Sequence, residues 1–85
     1  MEDKIVIIFN DVMKKEKTDL EIPLDISAND LVLALNSAFE LEIDVYDVKK
    51  CYLKAENPIA LLRGNKSLRA YGLRNGTIIN YTEQR

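Results

Sequence analysis

The sequence predicts an α+β domain in which a mixed β-sheet carries one main helix on one face. Three observations lead there: alternating apolar residues recur at both ends of the chain, one stretch of helical periodicity lies between them, and short polar turns separate the remaining segments. The 85 residues allow one domain, 1–85 with a core over 4–82, since globular domains seldom fall below about 50 residues. A hydrophobic fraction of 47% beside 31% charged residues, with 3 Gly and 2 Pro, fits a compact soluble chain and excludes a low-complexity one.

Residues 4–9 form the first strand, with Ile5, Ile7 and Phe9 on one face and Val6 and Ile8 on the other, so both faces are apolar. Polar residues 10–17 interrupt it. Strand character resumes over 18–24, where Leu20, Ile22 and Leu24 alternate with Asp19 and Glu21, and the two runs make a hairpin. Pro23 cannot donate to a ladder, which puts the second strand at a sheet edge. Ser27 with Asp30 is a helix N-cap with an acid near the positive end of the helix dipole, so a helix starts at Ala28. Ala28, Leu31, Val32, Leu35, Ala38 and Phe39 form its inner face, with Asn29, Asp30, Asn36 and Ser37 opposite and Leu33 projecting from the polar side.

The acidic stretch 40–47 has no glycine stop, and with Leu41, Ile43, Val45 and Val48 alternating loosely it reads as a partly packed connector. Residues 50–55 are a third strand with Cys51 and Leu53 on one face and Tyr52 and Lys54 on the other. Glu56-Asn57-Pro58 turns the chain into a short fourth strand over 59–62, and 63–66 forms the next reversal. Residues 67–73 make one helical or 3₁₀ turn, Asn75-Gly76 a tight turn, and 77–81 the closing strand. This is β-grasp order: the helix covers one face, and the first and last strands pair in parallel at the centre, with the right-handed crossover rule limiting alternatives.

The reactive inventory excludes most catalytic chemistry. There is no His and one Cys, so Ser-His-Asp and Cys-His sets lack their imidazole, a zinc site lacks its usual ligands, and no internal disulfide closes. No apolar h-region follows Met1 and no apolar run approaches about 18 residues, which predicts neither a signal peptide nor stable membrane insertion and makes the cytoplasm the expected compartment. The net charge of -2 gives no support for nucleic-acid binding. Charge is nevertheless polarised along the chain: residues 1–48 hold 12 acids and 4 lysines, or -8, and residues 49–85 hold 2 acids and 8 bases, or +6.

The run Ser67-Leu68-Arg69-Ala70-Tyr71-Gly72-Leu73, followed by Asn75-Gly76-Thr77-Ile78-Ile79, resembles the ubiquitin-like pattern of a Leu-x-x-Tyr turn, a polar turn and a last strand. With Asp19-Leu20 before the capped helix and Val45-Tyr46-Asp47-Val48 in the connector, the chain over residues 4–82 resembles the YukD and EsaB group, small ubiquitin-like proteins associated with type VII secretion systems of Gram-positive bacteria. The resemblance implies a cytoplasmic, non-enzymatic accessory that docks onto the secretion machinery, its membrane-bound components or their ATPase. Ubiquitin-like modifiers and sulfur carriers require a flexible Gly-Gly terminus for carboxylate adenylation. This sequence ends Tyr81-Thr82-Glu83-Gln84-Arg85, and its last glycine is Gly76, which disfavours that alternative.

Each candidate residue has a bland reading beside the sharp one. Cys51, with no His as base, is expected to be a small core residue rather than a nucleophile. Tyr71 is expected to pack its ring on the domain and bond backbone through its hydroxyl, rather than stack on a ligand. Asp44 and Asp47 read as solvated connector acids, Leu33 as a lone surface leucine, and Lys14 to Lys17 as a solvated loop too short for a polybasic anchor. No cofactor or metal site is expected. The outward sheet face is more informative. Val6, Ile8, Tyr52 and Ile78 point away from the helix, and grasp order sets their strands side by side, so they form either a protein-docking patch or the ordinary apolar fraction of a surface. The expected function is a noncatalytic protein-protein interaction module, with a small homodimer that buries this face as a further alternative.

Overall fold

The computed structural model describes residues 3–82. Among the described residues two helices and five strands follow one another as β1 (Lys4–Asp11), β2 (Glu16–Pro23), α1 (Ala28–Phe39), β3 (Leu53–Glu56), β4 (Ala60–Leu62), α2 (Leu68–Tyr71) and β5 (Ile78–Tyr81). The sheet order is β2-β1-β5-β3-β4, with β1 and β5 parallel at the centre and the other pairs antiparallel. This is the β-grasp arrangement, and Pro23 ends an edge strand as its missing amide requires. Residues 83–85, on which the reading of the C-terminus rests, lie outside the described residues, as do Met1 and Glu2.

Alternation decides which face of the sheet meets the helix. Ile5, Ile7 and Phe9 of β1, Leu53 and Ala55 of β3, Leu62 of β4 and Ile79 of β5 are buried together with Ala28, Leu31, Val32 and Leu35 of α1. Phe9 meets Phe39 at the end of α1, with ring centroids 4.8 Å apart. Ser27 caps α1 by accepting from Asp30 N at 3.0 Å, and Ser67 caps α2 in the same way from Ala70 N at 3.0 Å. Leu33 projects outward as its place on the wheel predicts.

Several boundaries and faces differ from the sequence reading. The hairpin strands extend to Asp11 and begin at Glu16, because Asn10 pairs with Lys17 and Asp11 with Glu16. Asp11 then closes the turn by accepting from Lys14 N at 3.1 Å, with Lys15 in the left-handed region. The third strand begins at Leu53 rather than residue 50. Lys50 N and Cys51 N both donate to Asp47 O, and Tyr52 N donates to Lys50 O, so turns consume the amides that a strand there would need. Ile59 falls in the turn before β4.

On α1, Ala38 is exposed and Asn36 is half-buried, the reverse of the expected faces. Asn36 performs the stop that no glycine supplies. Its Oδ1 accepts from Ile43 N at 2.8 Å, its Nδ2 donates to Ile43 O at 3.4 Å, and its carbonyl accepts from Leu41 N at 3.2 Å. These bonds hold Glu40 and Glu42 at φ 53° and 63°, a region costly for non-glycine residues, and the connector inserts Leu41 and Ile43 into the core.

The charge polarity of the sequence is partly cancelled in space. Arg69 of α2 donates through Nε to Asp25 Oδ1 at 2.8 Å and through Nη2 to Asp3 Oδ2 at 2.7 Å, joining the basic half to the acidic one. The Arg69 hydrogen bond holds the Asp25 carboxyl below its ordinary value, and the two carboxylates raise Arg69 further still. A lowered carboxylate pKa contributes stability above the ordinary value of about 4, and the contribution is lost as pH falls through the lowered value. In Arg69→Gln, carboxyl NMR titration will find Asp25 returned toward its ordinary pKa; a value as low as in the parent chain would contradict this account.

Candidate functional site

The face of the sheet away from α1 is built from the other set of alternating residues. Ile8 of β1 is in register with Ile78 of β5, so the two isoleucines stand side by side on the central parallel pair. Both are half-buried, and Val6, two residues along, is 44% exposed. Asp19 of β2 lies opposite Ile8 and Glu56 of β3 opposite Ile78, so the apolar pair is bracketed by two carboxylates. The next row repeats the plan in polar residues. Asn10 Nδ2 donates to Asn80 Oδ1 at 2.8 Å, Asn80 Nδ2 donates to Glu56 Oε2 at 3.0 Å, and Lys17 and Lys54 flank the two asparagines.

Of the four expected patch residues, Val6, Ile8 and Ile78 come together and Tyr52 does not join them. It precedes β3, and continuing the register sets it opposite Thr82, four residues from the Glu56–Ile78 pair, or about 13 Å along the strand. The sequence reading also left out Ile59 and Leu61, which are 92% and 40% exposed and line a groove of about 450 Å³ with Lys54, Glu56 and Asn80. Alternation through β4, in which Ala60 and Leu62 pair with inward Ala55 and Leu53, was the signal that sets Leu61 outward.

A second, more polar cleft of about 590 Å³ lies between the hairpin turn and the connector, lined in part by Asp11, Lys14, Glu42 and Tyr81. Lys14 Nζ donates to Phe39 O at 3.2 Å and the Tyr81 hydroxyl donates to Leu41 O, so two polar side chains in the cleft hold backbone. Among the described residues no cluster of acidic and cysteine side chains has the form of a metal site.

The WXG100 protein secretion system (Wss) protein YukD family matches residues 6–80. The chain belongs to the YukD family.

No curated protein matches this YukD-family chain in sequence. Its likeness to solved structures is one of fold. The ubiquitin-like domain of Plasmodium falciparum Dsk2 superposes with a TM-score of 0.61 at 20% identity, covering 94% of this chain and 100% of that one. The C-terminal ubiquitin-like domain of mouse tubulin-specific chaperone e gives 0.67 at 10% identity over 99% and 92%. A de novo design based on ubiquitin gives 0.62 at 12% identity over 91% and 84%. The fold of this YukD-family chain is therefore ubiquitin-like.

The reactive candidates of this YukD-family domain have structural partners. The Tyr71 hydroxyl donates to Arg63 O at 2.8 Å and accepts from Arg63 N at 3.3 Å, while Lys66 Nζ lies 4.6 Å from the ring centroid. Asp44 accepts from Tyr46 N and Asp47 from Lys49 N, so both acids organise connector turns. Cys51 is buried, with Sγ 3.5 Å from Asn29 Oδ1; desolvation, then the charge of Asp44, pushes its thiol up. A raised pKa leaves little thiolate at neutral pH. Cys51 will therefore react with a thiol-selective disulfide reagent far more slowly in the native chain than in denaturant; equal rates would contradict its core placement.

Proposed function

We propose that this domain is a noncatalytic, cytoplasmic interaction module of a type VII (WXG100) secretion system, docking onto the machinery, its membrane-bound ATPase included, through the outer sheet face. The observation that carries the reading is the Ile8–Ile78 pair. It stands in register at the centre of the sheet on the face that α1 leaves open, with Val6 beside it. β-Branched residues suit a strand on either face, but three of them together on adjacent strands supply an apolar centre with a polar and charged rim, which is the anatomy of a docking surface. Family membership supports secretion machinery as the source of the partner. The absence of a catalytic role is supported by the sequestered thiol of Cys51 and by a sequence without histidine. Among the described residues no helix is long and apolar enough to cross a membrane; the cytoplasmic placement follows from the family resemblance.

Ile8→Asp or Ile78→Asp sets a charge at the centre of such an interface, where an unpaired buried charge costs several kcal/mol, and each 1.4 kcal/mol is tenfold in affinity. Either variant is expected to keep its far-UV circular dichroism, to lose about 1 kcal/mol of stability, and to stop co-purifying with the secretion complex from native cells. Co-purification that survives in both folded variants would sink the proposal.

A further inference from the structure

Two neighbouring rows on the outer face share one plan with opposite charge. From β2 to β3, the first reads Asp19, Ile8, Ile78, Glu56 and the second Lys17, Asn10, Asn80, Lys54. Each row has two charges of one sign around a central pair, and the sign reverses over one two-residue step, about 7 Å along the strand. A surface that complements this one needs bases over the acidic ends and acids over the basic ends. The same face provides them when turned about a two-fold axis that lies in the interface, crosses the strands and runs level with Phe9 and Ile79, midway between the rows.

We infer that the outer sheet face takes a second copy of this chain, in an isologous dimer built on that axis. Asp19 of each copy faces Lys17 of the other, and Glu56 faces Lys54, so four ion pairs ring the contact. Each isoleucine pair sits against the shorter asparagine pair of the other copy, which lets large and small side chains interdigitate. Charge also selects the axis: a two-fold parallel to the strands would set Asp19 against Glu56 and Lys17 against Lys54, and like charges facing one another oppose association. The asparagine pair enters the interface with bonds already made, at 2.8 Å between the amides and 3.0 Å to Glu56, which lowers the cost of removing water from it.

Strands of eight, eight, four, three and four residues, at about 3.3 Å per residue and about 4.8 Å apart, present roughly 430 Å² per copy, or about 860 Å² in total, which falls in the size range of weak, transient interfaces. The dimer is therefore weak and reversible, and added salt weakens it further. It shares the Ile8–Ile78 pair with the docking surface proposed above, so dimerisation and docking exclude one another, but the dimer does not depend on the docking reading.

Sedimentation of the full chain from micromolar to millimolar concentration tests the inference. The dimer fraction will rise with concentration and fall with salt. Asp19→Lys alone and Lys17→Asp alone will each raise the dissociation constant by about tenfold or more, and the two together, which restore opposite charge across the axis, will return it to within about threefold of the parent value. The exchange of Lys54→Glu with Glu56→Lys supplies an independent second pair should a variant of the first fail to fold by circular dichroism. A chain that stays monomeric at every concentration in low salt, or a dimer whose strength the paired exchange does not restore, would overturn the inference.

Discussion

The parallel pairing of β1 with β5 is the constraint on which the rest of the structure depends. It ties the first strand to the last through Ile8 N to Thr77 O at 2.9 Å, Gly76 N to Val6 O at 2.9 Å and Val12 N to Tyr81 O at 3.0 Å, with Asn75 Oδ1 accepting from Val6 N at 2.8 Å. Contacts between segments so far apart in the chain carry a large loop-closure cost before they return any stabilisation. That return comes from one register, which sets Ile7, Phe9 and Ile79 beneath the helix and, one residue along, Ile8 beside Ile78 on the open face. The core and the candidate surface are two sides of the same ladder. A one-residue slip would exchange them.

Around that ladder, side-chain hydrogen bonds stand where the sequence lacks the usual stop signals. Ser27 and Ser67 both begin helices and also bridge one another, so the two helix starts are joined. Asn36 ends α1 in place of glycine and aims the connector back into the core. Thr77, wholly buried, accepts from Arg74 N at 3.0 Å and donates to Asn57 O at 2.9 Å, tying the turn before β5 to the turn before β4. Arg69 performs the same service at the surface between Asp3 just before β1, the loop before α1, and α2.

Much of this was legible in the residues because alternation and helical period are local signals. The strand faces of Ile5 to Phe9, the cap at Ser27, the edge position of the Pro23 strand and the helical turn at Tyr71 all follow from spacing and side-chain chemistry within a few residues. What failed depended on partners distant in sequence or on competing turn bonds. Tyr52 has the alternation of a strand residue, yet Asp47 diverts the preceding amides. Asn36 looks like a polar-face residue until Ile43 arrives to use both ends of its amide. The charge rows of the outer face bring together residues from 8 to 80, and no window of sequence displays them.

The central claim is that a ubiquitin-like YukD domain works through the face its helix leaves open, with the Ile8–Ile78 pair at the contact. Isoleucine-methyl NMR tests it most directly. With the chain dilute enough to be monomeric and the detergent-solubilised secretion complex added, the methyl signals of Ile8 and Ile78 are expected to shift or broaden first, while those of inward Ile5, Ile22 and Ile43 hold their positions. Perturbation centred on Ile59 or Ile43, with Ile8 and Ile78 unmoved, would contradict the account.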